Sequence, residues 1–292
     1  MLAYLLLQRP KQWTKNLLVF AALLFGGTFR EADKATLAFI AFVAMCLASS
    51  SVYIVNDLRD LDRDRKHPKK KLRPLASGAV SPNLAWGISA ISLAIALGAA
   101  WAVNKTSTAI ILAYLLLQVA YNFRLKQVAV ADVFCIAVGF VLRAVLGAAA
   151  IKVPISGWLL FCTGALALML GFSKRRNEFL TIAENGTRES LAKYTKPALD
   201  ALVSIFACGA ALCYGIYCLE SETAKKFPGL IVTSIFVFYG IARYILIVFS
   251  LDEGGEPETL LYKDKHILAS VLCFILASVL ALSGFQLPLV SS

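Results

Sequence analysis

Residues 35–64 read ATLAFIAFVAMCLASSSVYIVNDLRDLDRD, and the change of character inside this stretch decides the fold. Ala35 to Val55 carries no formal charge and, wound as an α-helix, is long enough to cross about 30 Å of hydrocarbon. Asn56-Asp57-Leu58-Arg59-Asp60-Leu61-Asp62-Arg63-Asp64 follows at once, with four carboxylates in one short segment. A membrane span that opens directly into clustered acids predicts a helix bundle with chemistry at its aqueous mouth.

The same alternation continues in both directions. Of 292 residues 59% are hydrophobic and only 16% charged, which excludes an ordinary soluble domain. Further apolar runs lie at about Trp13 to Phe29, Leu84 to Val103, Thr106 to Phe123, Val128 to Ile151, Ile155 to Phe172, Pro197 to Leu219, Pro228 to Leu251 and Ile267 to Val290. With Ala35 to Val55 they predict an all-α, polytopic membrane protein of nine transmembrane helices, a single domain over 1–292. Pro154, Pro197 and Pro228 fall at or beside span starts, where proline is tolerated because the first helical N–H groups have no partner.

Charge sets the expected orientation. The net charge of +11, from 29 Lys and Arg against 18 Asp and Glu, needs no nucleic acid, because cytoplasmic loops of membrane proteins retain cations. With the N-terminus inside, the inner segments collect Arg9, Lys11 and Lys15, the cluster from Arg59 to Arg73, Arg124 and Lys126, the cations of 173–196, and Lys263 and Lys265. The outer loops keep only Arg30, Lys34, Lys105, Lys152, Lys225 and Lys226. The N-terminus and the two long loops, about 56–82 and 173–196, are therefore expected in the cytoplasm and the C-terminus outside. Those loops follow the second and sixth spans, a separation that hints at a repeat of four-helix units. The run from Leu2 to Leu7 is too short, and has no cation before it, for a cleaved signal peptide. Cys46, Cys135, Cys162, Cys208, Cys213, Cys218 and Cys273 lie in apolar runs without a CxxC, which reads as packing rather than metal or disulfide.

If the helix runs on past Val55 at about 100° per residue, Asp60 lies about 60° and Asp64 about 20° from Asp57, so the three share a face and Asp62 points away. Converging carboxylates repel unless a cation sits among them, and hard oxygen donors with an open aqueous side suit Mg²⁺, with Mn²⁺ as the substitute. Asn56 offers a neutral carbonyl beside them. The loop continues through Lys66, Lys69, Lys70, Lys71 and Arg73, a charge pattern for gripping a metal-bound diphosphate; Arg73 is the expected phosphate contact, and Lys69 to Lys71 serve partly to hold the loop inside.

Asn56, Asp57, Asp60 and Asp64, with Arg73-Pro74-Leu75-Ala76-Ser77-Gly78, resemble the first signature of the UbiA superfamily of intramembrane prenyltransferases, and the nine-helix pattern resembles its fold along the whole chain. The resemblance implies a second D-x-x-x-D motif after the sixth helix. Here that place reads Lys174-Arg175-Arg176-Asn177-Glu178, with lysine at the first acidic position and only Glu178 acidic. Together with residues Arg9 to Asn16, Asp132, Gly139 to Arg143, Arg188 to Tyr194 and Gly255 to Glu258, this is similar to the decaprenyl-phosphate phosphoribosyltransferase branch. That branch implies 5-phosphoribosyl 1-diphosphate as donor, a polyprenyl phosphate in the bilayer as acceptor, pyrophosphate as leaving group, and a product for cell-envelope arabinan in a bacterial plasma membrane. On this reading Asp57, Asp60 and Asp64 are catalytic metal ligands with Asn56. Lys15, Arg73, Lys174 and Arg175 bind anionic oxygens, Glu178 stays with them, and Tyr121 and Lys126 approach the phosphates.

Arg143 is a cation within a span, which normally faces a cavity or partner, and is expected to meet an acidic group or the donor phosphate. Arg243, nearer a span end, is expected to be structural. The competing functions are an ordinary prenyl transfer from a prenyl diphosphate, against which Lys174 argues, and a secondary transporter, which would place its charges near mid-membrane rather than in loops.

Overall fold

Backbone polar groups in hydrocarbon find partners only within helices or closed barrels, and this chain takes the first solution. The computed structural model describes residues 2–68, 70–182, 190–252, 254–255, 259–260 and 263–284. In order these form α1 (Leu2–Leu7), a 3₁₀ segment (Pro10–Phe20), α2 (Ala21–Phe25), α3 (Ala32–Arg59), α4 (Leu61–Lys66), α5 (Pro82–Val103), α6 (Lys105–Phe123) and α7 (Ala131–Ile151). They continue as α8 (Gly157–Ile182), α9 (Lys196–Glu220), α10 (Glu222–Lys226), α11 (Thr233–Ser250) and α12 (Lys265–Leu282). No strand occurs among the described residues.

Eight helices among the described residues are long and apolar enough to cross a membrane: α3, α5 to α9, α11 with its lead-in from Pro228, and α12. The ninth expected span, Trp13 to Phe29, departs from the pattern, because it is the 3₁₀ segment followed by the single short helix α2. A second departure concerns α8, which runs to Ile182 instead of ending at Phe172, so Lys174 to Glu178 are helical rather than loop. Lys, Arg and Glu are good helix formers, and loss of hydropathy alone does not stop a helix. Polar caps mark the starts instead: Ser81, Asn104, Thr195, Ser221 and Asp264 each accept a backbone N–H three residues on.

The described residues fall into two compact units, one within Met1–Leu23, Thr28–Asn122 and Leu142–Val153, the other within Leu24–Gly27, Phe123–Val141 and Pro154–Ser292. In the first, α3 packs on α5 through small side chains, Ala38, Ala41, Ala44 and Ala48 on one helix and Ala85, Ser89, Ser92, Ala96 and Ala100 on the other. Between membrane helices, where lipid is as apolar as leucine, such stripes let backbones approach and dispersion act. Ser89 Oγ donates to the Ser51 carbonyl at 3.2 Å across this contact. In the second unit α8 packs on α9, with Phe172 stacked on Phe206 at 5.5 Å and Leu199, Val203, Ala207 and Ala210 buried along the seam.

Candidate active site

The acidic segment does not continue α3 as one helix. α3 ends at Arg59, Asp60 turns at φ −94° and ψ 11°, and α4 begins at Leu61, although Asp60 N–H still donates to the Asn56 carbonyl at 3.0 Å and Asp64 N–H to that of Asp60 at 2.8 Å. Asp57 and Asp64 are turned inward, 5% and 2% exposed. Both meet Arg73, whose Nη1 lies 3.0 Å from Asp57 Oδ1 and 2.5 Å from Asp64 Oδ2. Arg9 bonds to the same Asp57 oxygen, and Lys70 Nζ stands 3.9 Å from Asp64 Oδ1. Asp60 stays apart, its side chain 42% exposed and 4.0 Å from Arg63. The expectation of three carboxylates on one face is thus met by two, because the helix junction at Asp60 breaks the 100° progression. Among the described residues no three His, Cys, Asp or Glu side chains gather closely enough to hold a metal by themselves. Asn56 is half-buried, and Lys69 lies outside the described residues.

The loop that carries Arg73 is itself folded. Ser77 N–H donates to the Arg73 carbonyl at 2.9 Å, Val80 N–H to that of Pro74 at 3.1 Å, and Gly78 takes the positive φ of 78° that closes the turn. Leu75 and Val80 then insert among Leu7, Ile54 and Ala85, which fixes the guanidinium over the carboxylates. Arg9 reaches Asp57 from the other side with a left-handed backbone, φ 52°, a conformation that costs a non-glycine residue about 1 kcal/mol. Its neighbours hold it there: Gln8 Nε2 donates to Ser92 Oγ at 3.0 Å, Ser50 Oγ to the Gln8 carbonyl at 2.7 Å, and Trp13 Nε1 to Ser50 Oγ at 3.0 Å. In the sequence Arg9 counts as an inner cation and as part of a similar stretch, and no local pattern signals its contact with Asp57. Lys15 and Tyr121 in this unit, and Lys126 in the other, are half-buried.

Arg143 is buried in the first unit. Its Nε donates to Asn16 Oδ1 at 2.7 Å, its Nη2 to Tyr114 OH at 3.3 Å, and its guanidinium lies 5.0 Å from the Tyr114 ring centre. Asn16 in turn donates to Cys46 Sγ and Ser49 Oγ of α3, at 3.2 and 3.3 Å. One turn beyond Arg143, Gly147 has no room for a Cβ against the Val19 backbone carbonyl, so the 3₁₀ segment seats directly on α7. These contacts place Arg143 in a polar brace between the 3₁₀ segment, α6 and α7.

In the second unit the basic stretch divides by burial. Lys174 is exposed, whereas Arg175 is buried with Nε 2.7 Å from Asp132 Oδ2 and Nη1 on Glu178. Tyr194 OH accepts Val130 N–H at 2.5 Å and donates to Asp132 Oδ1 at 3.4 Å. Burial pushes the Tyr194 phenol up to about 12, so it keeps its proton at neutral pH. Arg176 clamps three segments: Asp200 at 2.6 Å, Asp252 at 2.7 Å and the Val248 carbonyl at 2.8 Å. Its hydrogen bond holds the Asp252 carboxyl below the usual range. Arg243 forks onto Asp264 at 2.8 Å, the structural role expected of it. Of the other stretches noted in the sequence, residues 188–189 and 256–258 lie outside the described residues. The seven cysteines are free thiols.

With this geometry in hand, comparison with known proteins is specific. Residues 16–248 match the UbiA prenyltransferase family. The chain is 34% identical over 283 residues to the decaprenyl-phosphate phosphoribosyltransferase of Mycolicibacterium smegmatis, covering 91% of this chain and 88% of that one. It is 32% identical over 281 residues to the protein of that name from Corynebacterium glutamicum, covering 92% and 84%. In three dimensions it is similar to a UbiA homolog from Archaeoglobus fulgidus solved with DMAPP and Mg²⁺, with a TM-score of 0.73 at 21% identity over 96% of this chain and 99% of that one. A match over most of the chain, in an all-helical fold of the same kind, means that this protein belongs to the UbiA prenyltransferase family.

Proposed function

We propose that the protein transfers 5-phosphoribose from 5-phosphoribosyl 1-diphosphate to a polyprenyl phosphate of decaprenyl type in the bilayer, releasing pyrophosphate. The observation that carries this reading is the 174–178 stretch. Where the family resemblance implies a second acidic motif, this chain exposes Lys174 and commits Arg175 to Asp132 and Glu178. The identity of about one third to the relatives named above, along nine-tenths of the chain, supports it.

The donor chemistry at the first loop suits a divalent metal. Asp57 and Asp64 each turn an oxygen to one cationic centre, the hard donor pair that Mg²⁺ or Mn²⁺ takes together with substrate phosphate oxygens. Asp57 and Asp64 would hold the ion, Asn56 and the more exposed Asp60 being the further oxygen donors of the same segment, and it would supply neutralising charge to the diphosphate. An oxygen of the acceptor phosphate forms the new bond to the anomeric carbon, the bond from that carbon to the diphosphate breaks, and the electron pair leaves with pyrophosphate. The nucleophile is already anionic, so no strong base is required; the main obstacle is the approach of two anions, which fixed cations relieve. Arg73 serves the donor in the first unit. Lys174 is the exposed cation assigned to phosphate in the second, with Lys15, Tyr121 and Lys126 as further contacts and Arg175 and Glu178 holding one another in place.

The loop cations support a bacterial plasma-membrane orientation with the N-terminus and both loops cytoplasmic. The 3₁₀ segment and α2 together reach about 30 Å, enough to cross despite their short helix. Counted with the eight longer helices, such a crossing supports a C-terminus on the outer side. The test is transfer of label by purified protein with Mg²⁺ and polyprenyl phosphate, from ribose-labelled phosphoribosyl diphosphate or from a labelled prenyl diphosphate with aromatic acceptors alongside. Metal-dependent label from the first donor in the lipid phase upholds the proposal; transfer only from the second returns the chain to general prenyl transfer.

A further inference from the structure

We propose that Arg9, presented by the N-terminal helix, is a binding residue for the phosphate of the lipid-borne acceptor, at a subsite separate from the Arg73 contact with the donor. The inference rests on the phosphoribosyl-transfer reading above.

Three observations point to it. First, Arg9 keeps a left-handed backbone, although it is neither Gly nor Asn, and hydrogen bonds through Gln8, Ser50, Ser92 and Trp13 hold the chain on either side. Backbone strain maintained by its surroundings marks a side chain that has to be delivered to a particular place. That place is Asp57 Oδ1, with the guanidinium also 5.0 Å from the Tyr53 ring centre.

Second, the local charge is unbalanced toward cations. Arg9, Arg73 and Lys70 make their ion pairs with two carboxylates, Asp57 and Asp64, and two guanidinium groups share one carboxylate oxygen. Arg9 has five N–H donors, of which the Asp57 contact uses a part, and its side chain is 24% exposed. Donors fixed at one end and open to solvent at the other match a phosphate monoester dianion.

Third, the apolar surroundings favour a lipid as its carrier. α1 buries Leu7 with Ile54, Leu75, Val80 and Ala85 but leaves Tyr4, Leu5 and Leu6 exposed. At 1.5 Å per helical residue, Arg9 follows these side chains within about 10 Å. In a membrane protein, exposed leucines beside a tyrosine belong at the lipid interface, the depth at which a polyprenyl phosphate carries its headgroup. A phosphate monoester is also present on the donor's ribose. That source is water-borne and does not account for the apolar helix that delivers Arg9.

The test uses the full chain in nanodiscs. Arg9→Asn removes the cation while tolerating the left-handed backbone, and Arg9→Gly serves as a second variant in case asparagine misfolds. We expect the apparent KM for polyprenyl phosphate to rise by about tenfold or more, the value of one lost charge-assisted contact, with donor KM within about twofold of wild type and the Mg²⁺ needed for half-activation equal or lower, since Arg9 no longer competes for Asp57 Oδ1. A rise in donor KM or in Mg²⁺ requirement with acceptor KM unchanged would show that Arg9 acts only through Asp57 or on the donor, and would overturn the inference. A binding measurement separates it from the functional reading. Wild type binds polyprenyl phosphate at least about tenfold more tightly than the phosphate-free polyprenol, and Arg9→Asn removes that difference. If wild type transfers no phosphoribose, the proposed reaction fails; if the two lipids bind alike, or the variant keeps the preference, the Arg9 subsite fails.

Discussion

Arg73→Ala removes the one nitrogen that two buried carboxylates share. Nη1 makes both contacts, 3.0 Å to Asp57 and 2.5 Å to Asp64, and the carboxylates are almost wholly out of solvent. Removing one partner from a buried ion pair costs about 3–5 kcal/mol, because the desolvation of the remaining charge is no longer offset. Here Arg9 stays on Asp57 and Lys70 stays near Asp64, so part of the compensation survives and the expected loss is about 2 kcal/mol. The assay is thermal unfolding of the full chain in nanodiscs, followed by tryptophan fluorescence, in EDTA and in millimolar MgCl₂. In EDTA the midpoint should fall. In MgCl₂ the variant should recover more than wild type gains, since a divalent ion meets both oxygens without a competing guanidinium. Arg73→Lys should keep about half of the stabilisation, because a single nitrogen is what bridges the pair. An Arg73→Ala protein that unfolds at the wild-type temperature in EDTA, or Mg²⁺ stabilising both proteins equally, would refute this account.

Asp60→Asn should leave unfolding within about 0.5 kcal/mol of wild type, because the side chain is half-exposed, while raising the Mg²⁺ concentration needed for transfer. Unchanged activity with normal metal dependence would remove Asp60 from the site. Gly147→Ala should cost about 2 kcal/mol or more, since the added carbon meets the Val19 backbone rather than a side chain able to move; comparison of thermal midpoints decides. Asp264 is held at about 2, first by its hydrogen bond to Arg243. A carboxyl depressed in the folded protein contributes stability that is full above its ordinary value near about 4 and lost as pH falls through about 2. Unfolding curves of wild type and Asp264→Asn should therefore differ at pH 7 and draw together toward pH 2, and a constant difference across that window would exclude the linkage.

Hydropathy made eight of the crossings legible, because length and apolar content are properties of a continuous segment. It could not show how residues 10–20 are wound, since 3₁₀ and α segments draw on the same apolar residues. The left-handed Arg9 was equally hidden: the proline after it disfavours α and favours extended backbone, and only tertiary contacts override that. The extension of α8 through Lys174 to Glu178 was readable from helix propensity, which the drop in hydropathy concealed. Arg73 stood out by its place between charge cluster and turn. Asp132 and Arg175, 43 residues apart, form a buried pair that no local period encodes.

That pair also bears on how the charges divide their work. Both units contain a guanidinium held between two carboxylates, Arg73 by Asp57 and Asp64, Arg175 by Asp132 and Glu178. The Arg73 side chain is 31% exposed and that of Arg175 only 3%. A cation that reaches water can exchange its carboxylates for phosphate as an anion arrives. One sealed among side chains cannot do so without uncovering Asp132, which is fully buried and also engaged by Tyr194. Arg175 therefore belongs to the architecture that holds α8 against the start of α7, and of the two adjacent cations Lys174 is the one left exposed. In sequence the two residues are adjacent and nearly equivalent. The helix separates them by turning one into the protein and the other out, so charge reversal at position 174 should disturb substrate binding while neutralisation at 175 should disturb folding.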